Sequence, residues 1–362
     1  MPEFQVLKND IAQTRIAPAP ETLLETGHVR ARIDRFSFTA NNITYGQVGD
    51  QMRYWDFFSA AQDNETNWGI IPVWGFADIV ESTHPDVPVG DRIYGYFPPS
   101  TSLVMLPERV SENRFVDATA HRTELPSGYN GYQRVRAEVG YDPKGDDLRA
   151  LLWPLLITSF CLWDAAQAAD WFDAEQILVL SGSSKTSIGL AYALADDATS
   201  PKVIGLTSAR NLAKVAKLDL YDDVLSYEAV DAIDASLPTL IIDMSGNGHL
   251  LARLHTMLGA QMRQTINVGL THREEIGKQP GFIVERSEFF FAPGHIQKRL
   301  SDWGPAGFQE RTQNYLIETT RRIGAWLEIH HLDGLDDLRR TYPEILSGRL
   351  DADRGIVVVM PD

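Results

Sequence analysis

The sequence is short of cysteine, of long apolar runs and of positive charge, and each shortage removes a class of protein. The single cysteine among 362 residues, Cys161, can close no intramolecular disulfide and cannot build a structural zinc site of several thiolates. It lies in LLWPLLITSFCLW, a setting that suits a buried structural thiol in a reducing compartment. No apolar run is read as reaching the roughly 20 residues that span a bilayer. The N-terminal MPEFQVLKNDIAQTR has neither the apolar core nor the cleavage site of a secretory signal. A cytoplasmic protein without membrane association is therefore expected. Lys and Arg number 33 against 49 Asp and Glu, a formal charge of −16, so the mean field repels nucleic acid and anionic lipid. A local basic pocket for a small anion survives that argument, because a ligand meets a few side chains and not the whole surface.

What is present is an ordinary globular composition, 44% apolar and 23% charged. The length exceeds what one hydrophobic core sustains, so two domains are expected. From Gly27 to about Pro107, short strands alternate with Gly, Pro and Asp turns such as Val89-Gly90-Asp91. HVRARIDRFSF (28–38), VWGFADIVES (73–82), DRIYGYFP (91–98) and SLVMLP (102–107) read as an all-β barrel or sandwich. Residues 111–149 hold SGYNGYQRVR and YDPKGDD and show no sustained period. They read as a long loop, lid or insertion, facing substrate by their aromatic and cationic content. Beyond them, aliphatic strands alternate with amphipathic helices: ILVLS before IGLAYALADD, VIGLT before ARNLAKVAKLDL, LIIDM before HLLARLHTML, then QTINVGL. That is the form of a doubly wound parallel sheet covered on both faces. The tail reads as helical TRRIGAWLEI (320–329), helical LDDLRRTYPEIL (335–346) and a strand in GIVVVMP (355–361). No fixed-period repeat is present.

ILVLSGSSKTSIGLAYALA carries the chemistry. A buried strand passes through a turn of small residues into a helix starting near Thr186, where backbone N–H groups can hold a pyrophosphate. Against GxGxxG, Gly189 fits the third glycine and is assigned to close helix-to-sheet packing, while Ser184 and Thr186 replace the first two. Those residues and Ser183 bring hydroxyls that can donate to phosphate. Lys185 reads either as a phosphate contact or as a solvated charge, and the absence of a glycine before it excludes a triphosphate-binding P-loop. The second strand ends in VIGLTSARN. Where a carboxylate would hold the ribose hydroxyls of NAD, Thr207, Ser208 and Arg210 stand, a set that suits a 2′-phosphate. Arg210 also reads as a surface arginine.

The order and spacing of these segments resemble the medium-chain dehydrogenase/reductase superfamily, in its zinc-independent quinone and enoyl reductase branch, over nearly the whole chain. VGDRIYG (89–95) is similar to that family's VGDxVxG turn, Gly75 to its glycine before a barrel strand, and Thr158-Ser159-Phe160 to its Thr-Ala-Tyr signature. IDMSGNG (242–248), with Ser245, and Asn267-Val268-Gly269 resemble the strand ends that approach a nicotinamide. RTYPEILSGRLDADRGIVVVMP resembles the closing helix and strand, and SSKT with FFAPGHIQKRLSDWG resembles a bacterial branch, the DUF2855-like proteins. The resemblance implies a GroES-like β-barrel domain, residues 1–149 and 325–362, and a Rossmann domain, residues 150–324. It also implies a nicotinamide cofactor, which Thr207, Ser208 and Arg210 make NADPH, a small-molecule substrate and a homodimer.

Departures from the family narrow the reaction. Gly75-Phe76-Ala77 stands where zinc alcohol dehydrogenases have Gly-His-Glu, so no metal is expected. Without a metal, hydride transfer favours acceptors that delocalise charge themselves, such as quinones, enones or enoyl thioesters. Carbonyl reduction and non-catalytic dinucleotide binding are the alternatives. By resemblance a loop holding Thr39, Asn42 and Tyr45 faces the nicotinamide, with Tyr54 just beyond. Tyr45 and Tyr54 read as proton donors or as core aromatics. The segment 287–304 lines the substrate cleft or the dimer edge in this superfamily, which makes Phe290, His295 and Arg299 substrate candidates. Lys298 and Arg299 read as a grip for a substrate anion or as a solvated helix face.

Overall fold

The computed structural model describes residues 2–19, 22–60, 67–268 and 279–361. The chain divides into two compact units, Met1–Pro154 with Gly324–Asp362, and Leu155–Ile323.

The first unit is built on antiparallel pairing. Strands β1 (Pro2–Leu7) and β2 (Asp10–Pro18) form a hairpin whose free edge pairs with β4 (Trp68–Gly69). Strands β3 (Val29–Ser37), β5 (Val73–Ser82), β6 (Arg92–Phe97), β7 (Ser102–Met105), β8 (Pro107–Glu108), β9 (Arg114–Asp117) and β10 (Gly131–Arg134) follow. They join β17 (Glu328–Asp333) and β18 (Arg354–Val359) in a nine-stranded sheet of order β17-β18-β3-β5-β6-β10-β9-β8, with β7 on β3. Every residue of β6 is buried. Two glycines opposite each other, Gly75 on β5 and Gly95 on β6, make room for what lies over them. A Cβ on Gly75 would stand 2.2 Å from the Arg35 carbonyl oxygen, and one on Gly95 would stand 2.4 Å from the Tyr132 ring.

Three stretches of this unit differ from the expectation. Residues 111–149 are no lid: they contribute β9 and β10 and fold around Arg122, which is 1% exposed. Its guanidinium donates to Asp117 (2.8 Å), Asn130 (3.1 Å), the Tyr132 hydroxyl (2.9 Å) and the Tyr129 carbonyl (2.8 Å). A buried cation needs all these partners, and a core centred on one leaves no apolar period to read. The segment after β3 is the helix Ala40–Gln47, not a loop. Its Asn and Gly content hides it, and a capping box of Thr39 and Asn42 starts it. TRRIGAWLEI is not one helix, because the preceding helix ends at Gly324 and LEIHHLD enters β17, parallel to β18. The final strand β18 lies between β17 and β3.

The second unit holds six parallel strands in the order β13-β12-β11-β14-β15-β16: β11 (Gln176–Leu180), β12 (Lys202–Thr207), β13 (Asp223–Ser226), β14 (Thr239–Asp243), β15 (Met262–Asn267) and β16 (Ser287–Phe289). This is the dinucleotide-fold order, with the switch point between β11 and β14. Leu162, Leu190 and Leu194 pack with Val179 and Ile242 in one core layer. Leu250, Leu254 and Leu258 pack with Leu178 and Ile241 in another. The strands are therefore buried on both sides, which accounts for their unbroken aliphatic sequences.

Gly189, in the helix Lys185–Ala195, works differently from the expectation. A Cβ there would stand 2.5 Å from the Leu156 side chain and 2.7 Å from Ser159 Oγ, so the close approach is helix to helix and not helix to sheet. The long helix Ala292–Gly324 breaks at Gly304 (φ 71°), just before Pro305, and buries Thr312, Leu316, Thr319 and Ile323 at helical spacing. Against the expectation from the apolar runs, the stretch Pro143–Ala168 is long and apolar enough to cross a membrane, but its most apolar 18 residues are 61% buried within the protein, as in a core helix.

Candidate functional site

The turn after β11 is held by its own hydroxyls. Ser181 adopts a positive φ of 61°, and Ser184 N–H donates back to its carbonyl at 2.8 Å. Ser184 then caps the helix Lys185–Ala195, its Oγ accepting from Ser187 N–H at 3.1 Å. Lys185 and Thr186 form the first turn of that helix, both partly exposed. The Thr186 carbonyl accepts from Ser159 Oγ at 2.7 Å, and the Gly189 carbonyl from the Tyr315 hydroxyl at 2.8 Å. Hydroxyls and a lysine at a helix start are the donor set a pyrophosphate needs.

Beside this turn, Ser183 Oγ meets the end of β12. Thr207 Oγ1 donates to it at 3.1 Å and Asn211 Nδ2 at 3.0 Å. Thr207 is fully buried, so its hydroxyl fixes the turn rather than facing a ligand. Ser208 is partly exposed at the head of the short turn Ala209–Asn211, and Arg210 is exposed on it. No carboxylate stands among these residues, and the set fits a ribose 2′-phosphate. Asn211, 7% exposed, was not legible in the sequence, where it is one polar residue among several.

At the end of β14, Asp243 is buried and accepts from Ser245 Oγ (2.6 Å), Ser245 N–H (2.8 Å) and Gly246 N–H (3.2 Å). Burial pushes its carboxyl above the usual range despite those bonds. Ser245 thus shapes the strand end. Next to it Met244 accepts a hydrogen bond at sulfur from Ser187 Oγ at 3.0 Å. Thr158 is partly exposed on the helix Asp146–Ala168. Gly269, the remaining nicotinamide-side candidate, lies outside the described residues.

In the first unit, Tyr45 and Tyr54 are 7% exposed each and their ring centroids lie 4.4 Å apart. Asn42 is structural: its Oδ1 accepts from Thr39 N–H at 2.7 Å and its Nδ2 donates to the Pro72 carbonyl at 2.9 Å. Its neighbour Asn41 donates to the Tyr45 hydroxyl at 2.8 Å, one helical turn away. Tyr54 shares a 3.0 Å hydrogen bond with the hydroxyl of Tyr129, a residue the sequence reading passed over. Burial raises the Tyr45 phenol above its ordinary value, with Trp74 and Asn41 acting against it, and burial raises Tyr54 as well. Both phenols therefore keep their protons at neutral pH, as a donor must.

The substrate candidates of residues 287–304 are engaged by the chain itself. His295 Nε2 and Arg299 Nε both lie 2.6 Å from Asp164 Oδ2, and Phe290 packs beside His295. Arg299 also pairs with Asp302 at 3.0 Å, as Lys298 does at 2.8 Å. Arg299 thus fastens its helix to the one bearing Asp164, while Lys298 lies on a solvated helix face, paired within its own helix. Cys161 is buried and its thiol pushed well up by burial, as befits a structural residue. Two concavities of the second unit, one around Arg253 and Thr256, the other around Trp163 and Asp197, include none of the sequence-predicted site residues. Among the described residues, no group of three or more His, Cys, Asp or Glu is placed to hold a metal.

The chain belongs to the family described as "Protein of unknown function (DUF2855)", which matches residues 36–351. No curated protein matches its sequence. Among solved structures it is similar to CurA from Vibrio vulnificus in complex with NADPH, at 12% identity and a TM-score of 0.63, with 100% of both chains covered. The JamJ enoyl reductase in its apo form is 11% identical with a TM-score of 0.58, with 99% of both chains covered. The quinone oxidoreductase from Coxiella burnetii is 12% identical with a TM-score of 0.54, covering 100% of this chain and 99% of that one. At such identities the likeness is one of fold: a GroES-like β unit with a Rossmann unit.

Proposed function

We propose that this protein is an NADPH-dependent, metal-free reductase acting on an activated double bond or a quinone. The observation that carries the reading is the end of β12, where Ser208 and Arg210 stand beside the hydroxyl-rich turn and no carboxylate opposes a 2′-phosphate. The fold shared with an NADPH complex and with enoyl and quinone reductases supports it. Bound NADPH supplies the hydride. Ser183, Ser184, Lys185, Thr186 and the helix start above Gly189 hold its pyrophosphate, with Thr207 and Asn211 orienting Ser183. Ser208 and Arg210 take the 2′-phosphate. Thr158, Ser245 and Gly269 are assigned to the nicotinamide side. Tyr45 donates the proton that follows hydride transfer, held in orientation by Asn41.

We assign a homodimer and a cytoplasmic setting to it. The test is oxidation of NADPH against a panel of quinones, enones, enoyl thioesters and aldehydes. Turnover with an enone or quinone supports the proposal, and turnover with aldehydes alone replaces it with carbonyl reduction. Tight binding of NADPH without turnover on any acceptor makes the protein a dinucleotide-binding sensor, a second reading favoured by the burial of both phenols.

A further inference from the structure

The thioether of Met244 is the one contact in the dinucleotide turn that peroxide chemistry can change. Met244 follows Asp243 at the end of β14, beside β11, at the switch point of the parallel sheet. Its sulfur accepts from Ser187 Oγ at 3.0 Å and lies 3.8 Å from Ser184 Oγ. Those two hydroxyls are themselves 2.8 Å apart, and Ser184 caps the helix that opens the site. Met244 is partly exposed, whereas Met105 and Met262 are fully buried.

We propose that Met244 is a modification site for hydroperoxides, and that its sulfoxide weakens binding of the dinucleotide pyrophosphate. The second half of this inference rests on the cofactor site proposed above. In the reaction a sulfur lone pair attacks the terminal peroxide oxygen, an S–O bond forms and the O–O bond breaks. The sulfur is oxidised by two electrons and the peroxide reduced to water or an alcohol. The proton on the transferred oxygen passes to the leaving one, a shift the neighbouring Ser184 and Ser187 hydroxyls relay. The product replaces a weak acceptor with a strong one. The sulfoxide oxygen draws both hydroxyls to itself, which takes Ser184 from its cap and sets a negative dipole end where phosphate oxygens bind.

The experiment treats the full chain with limiting hydrogen peroxide, with and without saturating NADPH, and maps oxygen uptake by peptide mass. Met244 is expected to gain one oxygen and NADPH to slow that gain, while Met257, partly exposed outside the turn in the helix Gly248–Leu258, reacts equally in both. The oxidised protein is expected to bind NADPH about fivefold more weakly, the worth of one ordinary hydrogen bond. M244L keeps its own untreated affinity after the same treatment. The inference is overturned if Met244 stays unoxidised while Met257 reacts fully, if oxidised Met244 leaves affinity unchanged, or if M244L loses as much as the wild type. Should the untreated protein bind no NADPH, the cofactor reading falls by itself. The inference is then decided by melting temperature: lowered by oxidation in the wild type and unmoved in M244L if it stands, alike in both if it does not.

Discussion

Two side chains of the candidate site separate the functional readings. Arg210 is placed beside Ser208 at the end of β12, and a hydrogen bond to a charged group contributes about 1.5–3 kcal/mol. Arg210→Ala is therefore expected to weaken NADPH by roughly 10- to 150-fold and to leave NADH nearly unchanged. Titration of both cofactors into both proteins checks this, and equal losses would remove Arg210 from the 2′-phosphate. Tyr45 is the stronger donor candidate, because an amide donates to its oxygen while Tyr54 is tied to another phenol. Tyr45→Phe is expected to lower kcat by about 10²- to 10⁴-fold, the usual worth of a general acid, with little change in KM. Tyr54→Phe should cost far less. A Tyr45→Phe enzyme as fast as the wild type on an established acceptor would hand the proton to water. What the sequence showed of this site was its linear part: the turn GSSKTSIG and the missing carboxylate. Asn41, Tyr129 and Asn211 were not legible because each acts through a partner that only folding brings near. For Asn41 the capping pattern Thr39-x-x-Asn42 was an unused signal, since a helix there puts residues 41 and 45 on one face.

Among the elements, the helix bearing His295 and Arg299 is fastened by a carboxylate that acid can switch off. Burial acts to raise Asp164, but His295 and Arg299 outweigh it and hold its carboxyl below the ordinary value of 3.8. A folded-state pKa below the unfolded one gives stability that is present above the unfolded value and lost as pH falls through the folded one. Asp164→Asn is thus expected to be destabilised near neutral pH, with the deficit shrinking as pH falls below the ordinary carboxylate value of 3.8 and the wild type loses the same charge. Urea unfolding of both proteins across that range measures it, and a pH-independent deficit would mean that packing, not charge, fastens the helix. Elements were legible where burial gave them a simple pattern. The aliphatic strands β11, β12 and β14 are buried on both faces, and the helix Gly334–Leu346 buries Leu335, Leu338, Tyr342 and Ile345 on one. Strand β17 was missed because only Leu332 of EIHHLD is buried, so neither period stands out and its pairing with β18 decides.

For the whole molecule, the absence of a metal from the proposed reaction is argued from composition. One cysteine and the triplet Gly75-Phe76-Ala77 supply no thiolate set and no Gly-His-Glu where the sequence resemblance would place zinc ligands. The purified protein is expected to hold no stoichiometric zinc and to keep its activity after chelation, as elemental analysis and an assay in EDTA would show. One tightly held zinc per chain would overturn the metal-free mechanism.

The placement of β18 between β17 and β3 also sets an order of assembly. The second unit is an uninterrupted stretch that is complete when residue 323 has been synthesised, whereas the first unit draws its last strands from beyond residue 324. At ribosomal rates of about 5–20 residues per second, β3 waits more than about ten seconds for the strand that pairs with Arg35–Ser37, the end of an edge whose Val29–Arg32 pairs with β7. Until then those three residues offer unpaired N–H and C=O groups to any passing strand. A nascent chain, or one truncated before Arg354, is therefore at its most aggregation-prone although most of its sequence has already been made.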